Sequence, residues 1–281
     1  PISKFKELTS GVEYYRFLSK LNDNFENEKE TLIENLQKLV KMIFSKGNMM
    51  VSYTATKEGL AGLEAELAKV RDGLYEAQQE EHRCVIHCEK KNEGFQTSSK
   101  VQFVAQAGNF LDAGKEYHGA LQILKVIMSY EYLWINIRVK GGAYGCMSNF
   151  NRIGEGYFVS YRDPNLKKTL DVYAGVPEYL KNFTVSERDM TKYIIGTISN
   201  IDQPMTPAAK GDRSMNLYMN HLTEEMIQEE RMQILRATQE DIRNLAEIAE
   251  AVLACNQICV IGNEEKIDEE KEVFGEVTAL F

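Results

Sequence analysis

Two stretches of this sequence carry the same pattern of apolar side chains, 209 positions apart. Each pattern places apolar residues along one face of a helix, and an asparagine, a strand-like segment and another helix follow. The matched pairs are Ile33 and Ile242, Leu36 and Leu245, Val40 and Ala249, Ile43 and Val252, and Phe44 and Leu253, with Asn48 and Asn256 after them. A repeat this long indicates duplication of a whole domain, since solenoid repeats are much shorter.

The duplication predicts how the chain divides into domains. Residues 1–78 are predicted to be the C-terminal tail of one domain, and residues 79–281 a complete second copy of it. The polar segment 78–81 is the expected linker. The chain is therefore expected to begin inside a domain, and its early tail should superpose on the chain end.

The periodicity of the apolar residues predicts an α+β fold in which an antiparallel-rich sheet carries helices mainly on one face. Strands are predicted at residues 49–54, 85–86, 99–105, 147–151, 156–162 and 257–262. Helices are predicted at residues 13–21, 28–44, 59–70, 115–139, 163–183, 186–200, 206–234 and 238–254, and a last helix is predicted at the chain end. The predicted N-terminal caps are Asn27, Asp163 before Pro164, Ser186, Thr206 and Thr238.

Composition excludes several functional classes. A net charge of −9 and the lack of a basic stretch disfavour nucleic-acid binding. No apolar run approaches the roughly 20 residues that span a bilayer, so no membrane partner is expected. The five cysteines are odd in number and scattered through apolar segments, which is typical of reduced thiols in a cytoplasmic protein.

Two histidine-containing segments are candidate metal sites. His82, Cys84, His87 and Cys88 lie close together, but no second ligand pair follows at zinc-finger spacing, and a partly buried strand is the favoured interpretation. His221-Leu222-Thr223-Glu224-Glu225 matches the inverted zincin pattern until its last position, where glutamate replaces histidine. No metal site is therefore predicted in this chain.

The candidate site is the stretch Arg138-Val139-Lys140-Gly141-Gly142-Ala143-Tyr144-Gly145, which lies between a long apolar predicted helix and a predicted strand hairpin. Arginine supplies a permanent charge, tyrosine a phenol, and glycine a backbone that a ligand can approach closely. The alternative interpretation is a plain helix C-terminus, in which the glycines cap the helix and the cations complement its dipole. Cys146 has no histidine beside it in sequence, so it is not expected to act as a nucleophile.

Arg138-x-Lys-Gly-Gly-Ala-Tyr144-Gly, followed by Tyr161-Arg162-Asp163-Pro164-Asn165 and Thr169-Leu170, resembles the C-terminal half of insulinase-type (pitrilysin) zinc peptidases. The branch it looks most like is the presequence-protease group. The resemblance implies four homologous α+β domains in a full-length protein, whose halves close around a peptide. The repeat agrees with the end of the third domain followed by all of the fourth.

The resemblance also implies residue roles. Zinc would be bound in the missing N-terminal half, through His-x-x-Glu-His and a distal glutamate, so this chain alone is expected to be inactive. Tyr144 would donate a hydrogen bond to the scissile carbonyl oxygen as it becomes an oxyanion, and Arg138 would hold a backbone carbonyl of the peptide substrate. Gly141, Gly142 and Ala143 would let the substrate approach.

Two alternatives stay open at this point. The chain could be a catalytically silent subunit of a two-chain, processing-peptidase-type complex, or a purely structural relative within a larger assembly. A silent subunit should begin with a whole domain, whereas this chain is expected to begin near the end of one.

Overall fold

The computed structural model describes residues 2–76 and 85–280. Its α-helices in these residues are α1 Ile2–Ser10, α2 Val12–Asp23, α3 Phe25–Ile43, α4 Leu60–Asp72, α5 Ala120–Tyr130, α6 Lys167–Ala174, α7 Val176–Lys181, α8 Glu187–Ile201, α9 Pro207–Met219, α10 Glu224–Leu235, α11 Gln239–Asn244, α12 Ala246–Ala254 and α13 Glu264–Glu269. Its strands are β1 Glu93–Thr97, β2 Gln102–Asn109, β3 Gly145–Phe150, β4 Glu155–Asp163, β5 Gln257–Asn263 and β6 Glu276–Ala279.

The chain forms two compact units. The first comprises Pro1–Glu89 with Met205–Asn220, and the second comprises Lys90–Pro204 with His221–Phe281. The domain boundary expected at residues 78–79 lies outside the described residues, and the two-domain division by homology stays a proposal. No helix among the described residues is both long and apolar enough to cross a membrane.

The first unit is helical, and its apolar faces are open. None of the described residues of α2, α3 or α4 is buried, although each helix follows the predicted apolar period. Helix α3 begins at Phe25 with Asn24 at its N-cap, so the predicted cap at Asn27 is wrong. The Asn27 side chain instead donates to the Asn24 side chain.

The strand predicted at residues 49–54 is not formed. These residues are extended coil, and β-type pairing in the described part of the first unit is limited to the isolated bridge between Ser45 and Tyr75. A strand is stable only when its backbone N–H and C=O groups pair with a neighbouring strand. The sequence of the segment favours a strand, but the described part of this unit offers it no sheet to join.

The second unit is built on one six-stranded sheet in the order β3-β4-β2-β5-β1-β6. The pairs β3–β4, β4–β2 and β2–β5 are antiparallel, and β5–β1 and β1–β6 are parallel. Helices α5, α6 and α12 pack on the sheet. The predicted α+β class, with an antiparallel-rich sheet, is confirmed.

The two faces of the sheet differ in their covering. Val104, Phe158 and Val260 point into the hydrophobic core beneath the helices and are fully buried. The alternate residues Phe103 and Met147 lie on the other face and are exposed. We call this second surface the open face. Because successive side chains of a strand point to opposite faces, every second residue of a strand lies on the open face and the others lie on the core side.

Besides the strand at 49–54, one further predicted strand does not form, and two strands form where none is predicted. Residues 85–86 are coil, whereas β1 and β6 form where no strand was predicted. Both are short, and each is held by parallel pairing with a strand far away in sequence. The predicted last helix is α13, and β6 follows it. Pairing partners at this distance leave no local signal, which explains the misses.

Helix caps were predicted better than helix lengths. Ser186, Thr206 and Thr238 each accept a hydrogen bond from the backbone three residues later, as predicted. Asp163 does not cap a helix, because α6 begins at Lys167 with Leu166 at its N-cap. The long helices predicted at residues 115–139, 163–183, 206–234 and 238–254 are each divided into shorter elements.

Candidate functional site

The helix before the candidate site changes its hydrogen-bonding pattern. Helix α5 ends at Tyr130, and Trp134–Val139 is π-helical. Lys140 N donates to Ile135 O, five residues earlier, at 2.9 Å. The α-helix predicted to reach residue 139 is therefore wrong over its last turns. Single π-helical turns inside helices are frequent at functional sites, since they shift which side chains share a face.

The glycines end this helix as predicted. Gly142 has φ 83°, a left-handed conformation that a residue with a Cβ adopts only with strain. Gly142 N donates to Arg138 O at 2.9 Å, and Ala143 N donates to Ile137 O at 3.1 Å. Each bond spans one residue more than in the usual glycine C-cap, as the preceding π-helical turn requires. The loop conformation is thus fixed by its own backbone.

The structure brings Arg138 and Tyr144 together on an exposed surface. The Arg138 guanidinium lies 4.2 Å from the ring centroid of Trp134 and 5.8 Å from that of Tyr144. Tyr144 is 58% exposed, and its backbone N–H donates to Arg162 O at 3.2 Å. The position of the phenol is therefore set by strand β4, while its hydroxyl remains accessible to a ligand.

The other residues of the predicted site differ in accessibility. Gly142 is exposed and Gly141 is partly exposed. Ala143 is buried, and it belongs to the hydrophobic core. A Cβ on Gly145 would lie 2.4 Å from the Tyr161 ring, so a glycine here lets that ring cover the strand. The Tyr161 ring in turn meets the Tyr144 ring edge-on at 5.5 Å.

A buried carboxylate connects the glycine loop to β4 and α6. Asp163 is fully buried and accepts hydrogen bonds from Thr169 Oγ1 at 2.7 Å and from Asn165 N at 2.9 Å. Asn165 Nδ2 donates to Gly141 O at 2.7 Å. This network explains physically why the Tyr161–Asn165 motif accompanies the glycine motif. It holds the loop that carries Tyr144.

Arg162 is a site residue that the sequence alone did not single out. Its guanidinium lies 5.5 Å from the ring centroid of Tyr144, and it has φ 48°, which is unusual for a residue other than glycine. The burial of β4 side chains alternates up to Ser160 and is interrupted at Tyr161, Arg162 and Asp163. The strand pattern predicts that neighbouring side chains lie on opposite faces, and here it fails.

Cys146 lies half-buried next to this site. Burial raises the pKa of its thiol to about 11; the Asp163 carboxylate raises it further, and Arg138 lowers it. The thiolate is the reactive form of cysteine, so this residue is a poor nucleophile at neutral pH. The geometry agrees with the expectation that Cys146 is not catalytic.

The two candidate metal segments lie in different surroundings. His87 and Cys88 are exposed coil, while His82 and Cys84 lie outside the described residues. His221 is exposed, and its near-motif partner Glu225 has a pKa lowered by hydrogen bonds from its own backbone and from Thr223. Across residues 2–76 and 85–280, no three histidine, cysteine, aspartate or glutamate side chains form a group that could hold a metal ion.

Comparison with known proteins places the second unit in a family. A family profile described as "PreP C-terminal domain" matches residues 92–264. The chain belongs to this family. The resemblance to the presequence-protease branch of insulinase-type peptidases is therefore confirmed. Strands β1 to β5 and the whole candidate site lie within the matched PreP C-terminal domain.

Curated relatives extend the similarity over nearly the whole chain. Protein HypA of Clostridium perfringens (strain 13 / Type A) is 41% identical over 98% of this chain and 28% of its own length. Presequence protease 1, chloroplastic/mitochondrial, of Arabidopsis thaliana is 30% identical over 93% of this chain and 24% of its own length. The chain thus spans about a quarter of these relatives.

One solved structure, a peptidase M16 inactive domain from Pseudomonas fluorescens, superposes on 72% of this chain and 50% of its own, with a TM-score of 0.47 and 19% sequence identity.

Proposed function

We propose that this chain is the C-terminal, substrate-binding part of a zinc-dependent oligopeptidase that degrades unstructured peptides in a closed chamber. The observation that supports it most is the proximity of Arg138 to the exposed Tyr144, with the guanidinium 5.8 Å from the centroid of the phenol ring. The hydrogen bond from Asn165 Nδ2 to Gly141 O holds the loop that carries Tyr144. Membership of the PreP C-terminal domain family adds support. The proposed partners are a zinc-bearing N-terminal half and peptide substrates.

In this proposal Tyr144 acts on developing charge. When the scissile peptide bond is attacked, negative charge builds on its carbonyl oxygen. A phenol O–H aimed at that oxygen binds the transition state better than the ground state, because the charge is absent before attack. Tyr144 suits the task because its backbone is held by Arg162 O while its ring is largely exposed.

Arg138 has a different role, since it is charged throughout the reaction. Its fork of donors would hold a backbone carbonyl of the peptide before and during the reaction, and stacking on Trp134 limits the positions of the guanidinium. Gly142, exposed beside it, would let the peptide approach the loop. This contact therefore stabilises the bound substrate as well as the transition state.

We assign the zinc to a part of the protein outside this chain. The described residues of this chain do not fit a zinc site, because they contain no group of three suitable ligands. Since neither zincin motif is complete in the sequence, the 281-residue chain by itself should bind no stoichiometric zinc and cleave no peptide. Metal analysis that finds one tightly bound zinc per chain would contradict this assignment and direct attention to His82, Cys84, His87 and Cys88.

Steady-state kinetics on a fluorogenic peptide test the roles of Tyr144 and Arg138 in a full-length protein that contains this chain. Tyr144→Phe removes only the hydroxyl, so turnover should fall by about a hundred-fold to a thousand-fold, the usual effect of losing one oxyanion donor. Arg138→Ala should also raise the Michaelis constant, since its contact forms before the reaction.

Tyr157→Phe is the matched control, because Tyr157 is a partly exposed tyrosine on the open face. It should leave turnover unchanged, with all variants compared at equal zinc occupancy. If Tyr144→Phe keeps turnover within about two-fold of wild type, the oxyanion role is wrong. The glycine loop would then be no more than a helix cap.

We also propose a cytoplasmic location, which the state of the thiols supports. Cys88, Cys146 and Cys255 are free thiols. Disulfides are rare in reducing compartments such as the cytoplasm, so cysteines without disulfides are consistent with a cytoplasmic location. Fractionation of cells of the source organism checks this, and recovery in a secreted or organellar fraction would exclude it.

A further inference from the structure

A β-bulge in β4 brings two consecutive side chains to Tyr144. Gln102 pairs with Asp163 and Val104 pairs with Ser160, so the single residue between them on β2 faces two residues of β4, Tyr161 and Arg162. The Tyr161 ring and the Arg162 guanidinium each lie 5.5 Å from the centroid of the Tyr144 ring. Bulges redirect side chains in this way and are frequent next to active sites.

The backbone at Arg162 is strained. A φ of 48° is readily adopted by glycine, whereas a long side chain adopts it at a cost. Strain of this kind is retained where surrounding structure enforces it, and it concentrates at functional sites. A glycine would form the same bulge without strain, so backbone geometry alone does not explain an arginine. The side chain is what needs an explanation.

The two guanidinium groups at Tyr144 have no acidic partner in the described residues. Arg138 and Arg162 are both exposed, each lies within 6 Å of the same ring, and the ion pairs of the described residues include neither. By contrast Arg152, Arg231 and Arg243 each pair with a carboxylate. A chain of net charge −9 thus presents an unneutralised positive patch at its candidate site.

We propose that Arg162 binds a carboxylate group of the peptide beside Tyr144, with Arg138 adding to the positive potential. A guanidinium matches a carboxylate with two parallel hydrogen bonds, and such charge-assisted pairs are the strong ones. The carboxylate is either an acidic side chain near the scissile bond or the C-terminus of the peptide. The subsite rests on the proposed function in assuming that a peptide reaches Tyr144, and it predicts a preference for peptides that place a carboxylate there.

Binding can be measured on the 281-residue chain itself, because Trp134 is its single tryptophan and lies against Arg138. Its emission is followed during titration with four peptides of one sequence. They carry either glutamate or glutamine at one internal position, and either a free or an amidated C-terminus. The first pair tests a side-chain carboxylate, and the second pair tests the C-terminal one.

The wild-type chain should bind the acidic member of one pair about ten-fold to a hundred-fold more tightly than its amide counterpart. Arg162→Gln should abolish that ratio, and Arg162→Lys should keep part of it, because it retains the charge without the planar fork. Arg236→Gln is the control for net charge. Arg236 is an exposed arginine at the end of α10, and its removal should leave the ratio intact.

Arg162→Gly separates function from folding. It removes the side chain and relieves the strained backbone, so the melting temperature should stay the same or rise while the preference for the acidic peptide disappears. The proposal is overturned if the wild-type chain shows no acid-dependent change with either pair up to millimolar peptide. It is also overturned if Arg162→Gln lowers the affinity for the acidic peptide and for its amide counterpart by the same factor.

These outcomes are distinguishable from failure of the proposed function. The oxyanion role depends on the loss of turnover in Tyr144→Phe, and the carboxylate subsite depends on the binding ratio in Arg162→Gln. A chain that keeps the ratio while Tyr144→Phe remains fully active retains the subsite and loses the oxyanion role. The reverse pattern retains the oxyanion role and removes the subsite.

Discussion

The two stretches that share the apolar pattern have different structures. The expected match between the early tail and the chain end is not found, because β5 follows the second stretch whereas residues 49–54 are coil. In the first copy α3 runs unbroken for 19 residues, and Ile33 and Leu36 are 48% and 51% exposed. In the second copy the same pattern is divided into α11 and α12, and Ile242 and Leu245 are 0% and 3% exposed. One pattern therefore gives an open helix in one unit and a core helix in the other.

The segments after the two helices differ in the same way. Asn256 adopts a left-handed conformation with φ 47° and leads directly into β5, which lies between β1 and β2. Asn48 ends a short 3-10 turn, its side chain donates to Met42 O at 2.7 Å, and no strand follows. The sequence pattern specifies which residues share a helix face. Whether that face is buried depends on the elements available to cover it.

The largest difference in stability between the two stretches is expected when a charged side chain replaces a leucine on the apolar face of the helix. Leu245→Asp puts a carboxylate into the core and should unfold the second unit, since burying an unpaired charge costs more than about 4 kcal/mol. Leu36→Asp places the same charge on an exposed position and should leave the helical signal intact. Thermal unfolding followed by circular dichroism checks both variants. Equal loss of structure in the two would show that α3 is also buried.

Truncation of the matched isoleucines should give a smaller contrast. Ile242→Ala leaves a cavity in the core and should cost about 2–5 kcal/mol of unfolding free energy. Ile33→Ala removes an exposed side chain and should change stability by less than about 0.5 kcal/mol. Urea denaturation followed by circular dichroism measures both values. Similar costs at the two positions would contradict the difference in burial.

Removal of the N-terminal cap should give a still smaller difference in unfolding free energy between the two helices. Thr238 forms a capping box with Asp241, so Thr238→Ala should cost about 1 kcal/mol. Asn24 makes no side-chain cap hydrogen bond at the start of α3, and Asn24→Ala should cost only a few tenths of a kcal/mol. The same denaturation experiment checks the pair, and a larger loss for Asn24 than for Thr238 would reverse the comparison.

The two units should also differ in the reactivity of their thiols, which can be measured without changing the sequence. Cys88 is exposed in the first unit, whereas burial raises the pKa of Cys146 in the second to about 11. At pH 8 Cys146 should be alkylated on the order of a hundred-fold more slowly than an ordinary thiol, as its thiolate fraction is that much lower. Mass spectrometry of timed iodoacetamide reactions measures this, and equal rates at Cys88 and Cys146 would contradict it.

The sign of the accompanying pH effect follows from the raised pKa. The folded chain holds the Cys146 proton more tightly than the unfolded chain does. The stabilising contribution is therefore full below about pH 9 and is lost as the pH rises towards 11. Cys146→Ala should flatten this decline in stability, and an unchanged decline would assign it to other groups.

Much of the candidate site could be predicted from the sequence. The glycine C-cap depends on residues adjacent in the chain, and the paired motifs carried the resemblance that named Arg138 and Tyr144. Arg162 and the role of Asp163 could not be predicted in the same way. The first depends on a bulge opposite β2, and the second on hydrogen bonds to Asn165 and Thr169 within a buried network.

The sequence by itself determined the helix faces, the caps at Ser186, Thr206 and Thr238, and the strands at the centre of the sheet. Each of these depends on side chains within a few residues of one another, so the signal is local. Only the tertiary structure decided the parallel strands β1 and β6, the open coil at residues 49–54 and the side-chain cluster around Tyr144. Backbone pairing and burial join residues far apart in sequence, and local patterns do not record which partners are present.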